Sequence, residues 1–97
     1  MQINPINASE MFVTQLKSLG SQSIASGSTY NWQVTPDTVS GYVPLAVVGF
    51  DTQTTSANHA VLNCRLNGSG KAELTIRNNG GSSISVNPRV TILYIRG

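Results

Sequence analysis

The 97-residue sequence predicts an all-β domain, an antiparallel β-sandwich that is jelly-roll-like and built from six to eight short strands. Three observations predict it. Turn signals made of Gly, Pro, Asn, Asp and Ser recur about every 8–12 residues, the spacing of a sandwich or barrel. Between them apolar and polar residues alternate with period two, the mark of a half-buried strand. The composition is also wrong for helices. Ser (12), Thr (9), Asn (9) and Gln (5) make up 35 residues, while only 10% of the chain is charged; a helical bundle would be rich in Ala, Glu, Lys, Leu and Arg.

Taken in order, residues 1–19 are the least patterned. Residues 11–19 (MFVTQLKSL) fit a strand with Phe12, Thr14, Leu16 and Ser18 on one face. They also fit a short helix capped by Ser9, but the β character of the rest favours the strand. Residues 1–19 are thus expected to be a linker or a first strand, and residues 20–97 the sandwich. Residues 23–25 form a short strand, followed by a tight turn at Ser26-Gly27-Ser28. Residues 29–35 (TYNWQVT) place Tyr30, Trp32 and Val34 on one face.

Pro36 to Gly41 is a loop by its Pro, Asp and Gly content. Residues 42–50 (YVPLAVVGF) are continuously apolar, which predicts a strand buried on both faces. Pro44 cannot donate to a ladder and marks an entrance or an edge, and Gly49 marks a bulge or close backbone approach. Residues 51–58 (DTQTTSAN) are an exposed polar loop. Residues 59–66 (HAVLNCRL) are a strand with Ala60, Leu62, Cys64 and Leu66 on one face.

Asn67-Gly68-Ser69-Gly70 is a hairpin turn, because Asn and Gly accept positive φ. Residues 71–77 (KAELTIR) alternate most cleanly, with Ala72, Leu74 and Ile76 inward and Lys71, Glu73, Thr75 and Arg77 outward. A further turn at Asn78-Asn79-Gly80-Gly81 leads to a stub at Ile84 and Val86. Residues 89–96 (RVTILYIR) are apolar almost throughout and predict a long central strand, since an apolar edge would invite aggregation.

Size and charge exclude several functions. The chain is one domain and has no apolar run near the roughly 20 residues of a membrane helix. The first residues lack the basic and apolar regions of a secretory signal, so synthesis and folding in a cytoplasm, or origin as part of something longer, is expected. The net charge of +2 comes from scattered basic residues, not the basic stripe of a nucleic-acid groove.

No catalytic residue, metal ligand set or cofactor site is expected. Glu10, Asp37, Asp51 and Glu73 are well separated, whereas paired-carboxylate chemistry needs two together. One His and one Cys cannot make a metal site. Five residues apart on one strand, His59 and Cys64 should face opposite ways. Cys64 reads as an inert, buried thiol and Glu73 as a solvated cross-strand partner.

The candidate ligand-binding residues are Trp32, Tyr42, Asp51, Asn58 and His59. The aromatic rings could stack on sugars while Asp, Asn and His supply hydrogen bonds; core packing is the competing reading of Trp32 and Tyr30, and an ordinary surface position that of His59. Self-association has a separate argument. A soluble monomer usually carries a surface that is about a quarter or more charged, and depletion of charge marks interface cores. Two strands apolar on both faces need cover that a small domain lacks, which a neighbouring subunit would supply.

The motifs also resemble a family. Residues 41–50 (GYVPLAVVGF) are similar to the GYxPxxVVGF segment of small C-terminal domains in tail or baseplate proteins of phages and prophages of Gram-positive hosts. Residues 23–29 (SIASGST) resemble the xIAAGST opening hairpin of that family. Residues 74–79 (LTIRNN) with residues 90–95 (VTILYI) resemble its VxLRNxS…VTVTVLYV ending. The likeness spans residues 20–96 and carries no catalytic or residue-level binding motif.

The resemblance implies a fibre-tip β-sandwich domain of the virion, usually a homotrimer, beside other virion proteins and against host cell-surface carbohydrate. Neither nucleic acid nor membrane insertion is implied. The alternatives are a capsid decoration or head-fibre protein with a structural role, and a stand-alone carbohydrate-binding lectin.

Overall fold

Residues 11–97 are described by the computed structural model. Eight strands follow in chain order: β1 (Phe12–Ser18), β2 (Gln22–Ile24), β3 (Thr29–Val34), β4 (Tyr42–Asp51), β5 (His59–Leu66), β6 (Ala72–Asn78), β7 (Ile84–Val86) and β8 (Arg89–Arg96). The fold is an all-β, sandwich-like arrangement of antiparallel sheets with the strand orders β1-β8-β4, β2-β7 and β3-β6-β5.

β1 pairs with β8, β2 with β7 and β3 with β6, all antiparallel. This nesting is a long hairpin folded over on itself. β2 and β7 continue the β1–β8 ladder past a break, where the Leu19 amide donates to the Pro88 carbonyl at 2.9 Å. Within residues 1–19, Phe12–Ser18 is therefore a sheet strand; the alternative helix cap at Ser9, and residues 1–10 as a linker, lie outside the described residues.

Alternation builds the core from inner faces. Trp32, Ala72, Leu74 and Ile76 on one sheet meet Val90, Ile92 and Tyr94 on the other, with Leu19, Ile24 and Val86 closing the end. Each fully buried large aliphatic side chain contributes about 1.5–3 kcal/mol. β6 and β8 are the central strands; for β8 this is the position its apolar run predicts. The turn between β5 and β6 forms as expected: Asn67 and Lys71 exchange a 2.8 Å backbone bond, and Gly70 takes a φ of 76°, which glycine accepts without steric cost.

Two expectations are corrected, one by the position of β4 in its sheet and one by a β-bulge in β5. β4 is not buried on both faces: it is an edge strand whose residues Val43, Leu45, Val48 and Phe50 are exposed. A three-stranded sheet has no second layer over its outer face. Its register slips between Pro44 and Ala46 and again between Val47 and Gly49, so Pro44 does mark an edge and Gly49 a bulge.

β5 carries a bulge between Val61 and Asn63. His59, Val61, Cys64 and Leu66 pair with the inward Asn78, Ile76, Leu74 and Ala72, while Leu62 is pushed out and 58% exposed. The face Ala60, Leu62, Cys64, Leu66 does not exist, because an extra residue reverses the alternation halfway along. His59 and Cys64 consequently share a face. Their partners on β6 are four residues apart, about 13 Å along the strand, which is too far for a proton-transfer pair.

Candidate binding face at the loop end

The sandwich has two distinct ends. Phe12 on β1 lies opposite Ile95 at one end, and Ser18 lies opposite Arg89 at the other, about 20 Å away at strand rise. Asp51 also pairs with Arg89, so the β4–β5 loop belongs to the end remote from Phe12. The connections at residues 25–28 and 79–83 join it there, through the 2.9 Å bond from the Gly27 amide to the Asn78 carbonyl.

Asn78 organises this end. It is fully buried and closes β6. Its side-chain amide donates to the Ile24 carbonyl at 2.9 Å and the Ser82 carbonyl at 2.8 Å, while Oδ1 accepts from the Gly80 amide at 2.9 Å. The Ser26 hydroxyl donates to the Gly80 carbonyl at 2.6 Å, and the Asn79 amide to the Asn58 carbonyl at 2.8 Å. The Asn78 side chain thus ties the end of β2 to the residue 79–83 turn, and the adjoining bonds of Ser26 and Asn79 bring in the other two loops.

Against this frame lies an open groove of about 410 Å³, with residues 53–56 on one wall and residues 83–85 on the other. Among the described residues, Thr54, Thr55, Ser56, Ser83 and Ser85 give it five hydroxyl side chains, Gln53 an amide and Ile84 the one apolar contact, and no charged side chain lines it. Gln53 sits at a φ of 51° and its amide donates to Asp51 Oδ1 at 2.9 Å. That left-handed conformation is uncommon outside glycine and is held here by the Asp51 turn.

Of the predicted ligand residues, Asp51, Asn58 and His59 lie together along this loop. Asp51 is engaged structurally, by Gln53 and by Arg89 at 3.5 Å. His59 Nδ1 is 2.8 Å from the Ser56 carbonyl; a carbonyl only accepts, so Nδ1 carries the hydrogen and Nε2 remains for other contacts. The Asn58 amide donates to Ser56 Oγ at 3.3 Å.

Tyr42 and Trp32 are elsewhere. Tyr42 opens β4 beside Arg96, at the Phe12 end. Trp32 is 4% exposed and packs edge-on against Tyr30 with ring centroids 4.7 Å apart. Its indole donates to the Gly20 carbonyl at 3.0 Å. The ring fills the core and offers no open stacking surface.

The groove was not legible as a site, because its walls are far apart in sequence. The one available signal was the run of hydroxyl residues in both segments, TQTTS and SSIS.

A second arrangement also escaped prediction. Glu73 points to the outer face of the β3-β6-β5 sheet, yet it is 9% exposed and not a solvated partner. Asn63 donates to Oε2 at 2.7 Å, Asn31 to Oε2 at 3.1 Å and Asn67 to Oε1 at 3.1 Å, with Arg65 at 3.5 Å. The Asn67 amide leads in holding this carboxyl below its ordinary range; burial opposes it, and Asn31, the Arg65 charge and Asn63 add to the lowering. With every bond made inside the network, the arrangement is a structural tie across three strands. The Cys64 thiol is pushed up by burial.

The chain gives no match to family models, to characterised proteins or to solved structures.

Proposed function

We propose that this chain is a structural module of a phage virion, placed at a fibre end, working as several copies and touching a neutral glycan on the host surface through the groove at its loop end. The observation that carries the reading is the position and lining of that groove. It lies at the end opposite Phe12, so a chain arriving at β1 presents it outward. Its hydroxyl and amide walls suit a ligand that is itself uncharged and hydroxyl-rich, and Asn78 holds the Ser82 carbonyl beside one of them. The likeness of residues 41–50 and 74–95 to fibre-tip domains supplies the setting.

The same lining sets the strength. Each hydrogen bond exchanged with water nets only about 0.5–1.5 kcal/mol, and no aromatic platform adds stacking. A single site is expected to be weak, so useful adhesion comes from several linked copies acting together. This ties the homotrimeric arrangement to the binding role and disfavours a lone lectin.

The test is a glycan array and host-cell binding with the chain displayed multivalently, comparing wild type with Ser83→Tyr, which fills the groove from an exposed position. Retained folding with at least tenfold loss of neutral-glycan binding supports the reading. Undetectable glycan and cell binding by the multivalent wild type overturns it and leaves a purely structural role.

A further inference from the structure

We infer that the outer face of the β1-β8-β4 sheet is the surface on which a second copy of this chain packs. The inference rests on the self-assembly part of the proposed function and is independent of glycan binding.

The register defines the face. Ile95 and Leu93 of β8 look outward with their partners Phe12 and Thr14 on β1 and Val43 and Ala46 on β4. Leu16 joins them opposite Thr91. The two bulges add to this side: Leu45 shares the position opposite Leu93 with Ala46, and Val48 shares that opposite Thr91 with Gly49. Leu16 is 62% exposed, Val48 55%, and Val43 and Leu45 48% each. This is a contiguous apolar surface, not scattered single residues.

The other outer face, on β3-β6-β5, shows how this chain treats a surface meant for water. There Asn31, Gln33, Asn63, Asn67 and Glu73 interlock through their side chains. The two outer faces differ in kind: on this one a polar network surrounds the exposed Leu62, whereas the β1-β8-β4 face exposes Leu16, Val43, Leu45 and Val48 together.

The edges decide the mode of contact. On β4, Pro44 has no amide hydrogen to offer, and two bulges break the register of the free edge. On β1, Lys17 belongs to the side away from the apolar face and its Nζ lies 2.7 Å from Asp37 Oδ1. Proline, bulges and inward charges block strand addition at sheet edges. Lateral growth of the sheet is obstructed on both sides, which leaves contact through the face.

Area and charge select the occupant. Eight residues of β8 and three strands give a face of about 27 by 14 Å, on the order of 400 Å² in projection. Two such faces, with the relief of their side chains, approach the lower range of specific interfaces, about 1,200 Å² in total. Among the described residues, the charged ones of the face are Arg89 and Asp51, which sit at one end and neutralise each other at 3.5 Å. A charged partner finds nothing complementary there, and an anionic lipid surface finds no basic rim. An identical apolar face needs neither.

The test is sedimentation equilibrium of the full chain over a concentration series reaching about 100 µM, a range matched to an interface at the small end of the size scale. Wild type is expected at two or three times 10.3 kDa at the upper end. Leu16→Lys and Val48→Lys, each alone, should weaken assembly at least tenfold with unchanged circular dichroism. Leu62→Lys, equally exposed on the opposite sheet, should assemble as wild type. A wild-type monomer throughout overturns the inference, as does assembly that survives both face substitutions. Because glycan binding is read separately on a multivalent carrier, loss of one result leaves the other standing.

Discussion

Asn63 Nδ2 lies 2.7 Å from Glu73 Oε2, so a carboxylate on the outside of the β3-β6-β5 sheet is held by a side-chain amide from the neighbouring strand. Asn31 reaches the same oxygen from β3, and one acidic residue thereby spans three strands.

The lowered pKa of Glu73 makes this tie pH-dependent. A carboxyl whose folded value lies below its unfolded value, about 4.3 for glutamate, contributes its stability above that unfolded value. The contribution fades as pH falls through the folded value. Glu73→Gln should therefore melt lower than wild type at pH 7, and the two curves should converge as pH drops below about 4. Thermal melts from neutral to acid pH read this directly. A difference that persists at the acid limit would locate the effect in packing rather than ionisation.

Asn78→Ala is expected to destabilise the fold by about 3 kcal/mol, because it removes three hydrogen bonds of a fully buried side chain, leaving the Ile24 carbonyl unpaired in the interior and the Ser82 carbonyl and Gly80 amide unpaired at part-buried positions. Asn79→Ala, one residue on and exposed, should stay within about 0.5 kcal/mol. Urea denaturation of both variants separates a buried organiser from a turn residue of the same type.

These two residues also mark how far the sequence could be read. Alternation located β3 and β6 and the inward Trp32, Val34, Ala72, Leu74 and Ile76, because period two survives wherever no residue is inserted, while the apolar run located β8 as central without sorting its faces. It failed at β5 because a bulge adds one residue and reverses the later side chains, and nothing in VLNC distinguishes an inserted residue from a paired one. That is why Leu62 reads as core and is exposed. β4 differs from its reading by a separate route: Pro44 and Gly49 do mark its edge and its bulge, but a continuous apolar run reads as doubly buried because it does not show which strands lie beside or over it. Glu73 and Asn78 escaped for another reason. Their environments are assembled by strands up to about fifty residues away, whereas pattern reading sees only neighbours along the chain. The groove between residues 53–56 and 83–85 is non-local in the same way.

Trp32→Phe separates the structural from the binding role of the chain's only tryptophan. Phenylalanine keeps an aromatic ring against Tyr30 but leaves the Gly20 carbonyl without its indole donor. A loss of about 1–3 kcal/mol is expected from that unpaired group. Glycan affinity in the folded variant should be unchanged, since the ring lies in the core and not in the groove. Chemical denaturation gives the first quantity and array binding the second; a folded variant that loses glycan would return Trp32 to the binding site.

Cys64 should be a slow thiol in the native protein. Burial raises its pKa, so at pH 8 a smaller fraction is thiolate than for a free cysteine, and thiolate is the reacting form. Its side chain also packs against the core opposite Leu74, which restricts approach of a reagent. Disulfide-exchange labelling should run at least tenfold slower in buffer than in denaturing urea, and the native rate should rise with pH beyond the point where an ordinary thiol has levelled off. A native rate equal to the denatured one would mean that β5 opens readily around its bulge at Leu62, the weakest stretch of its pairing with β6.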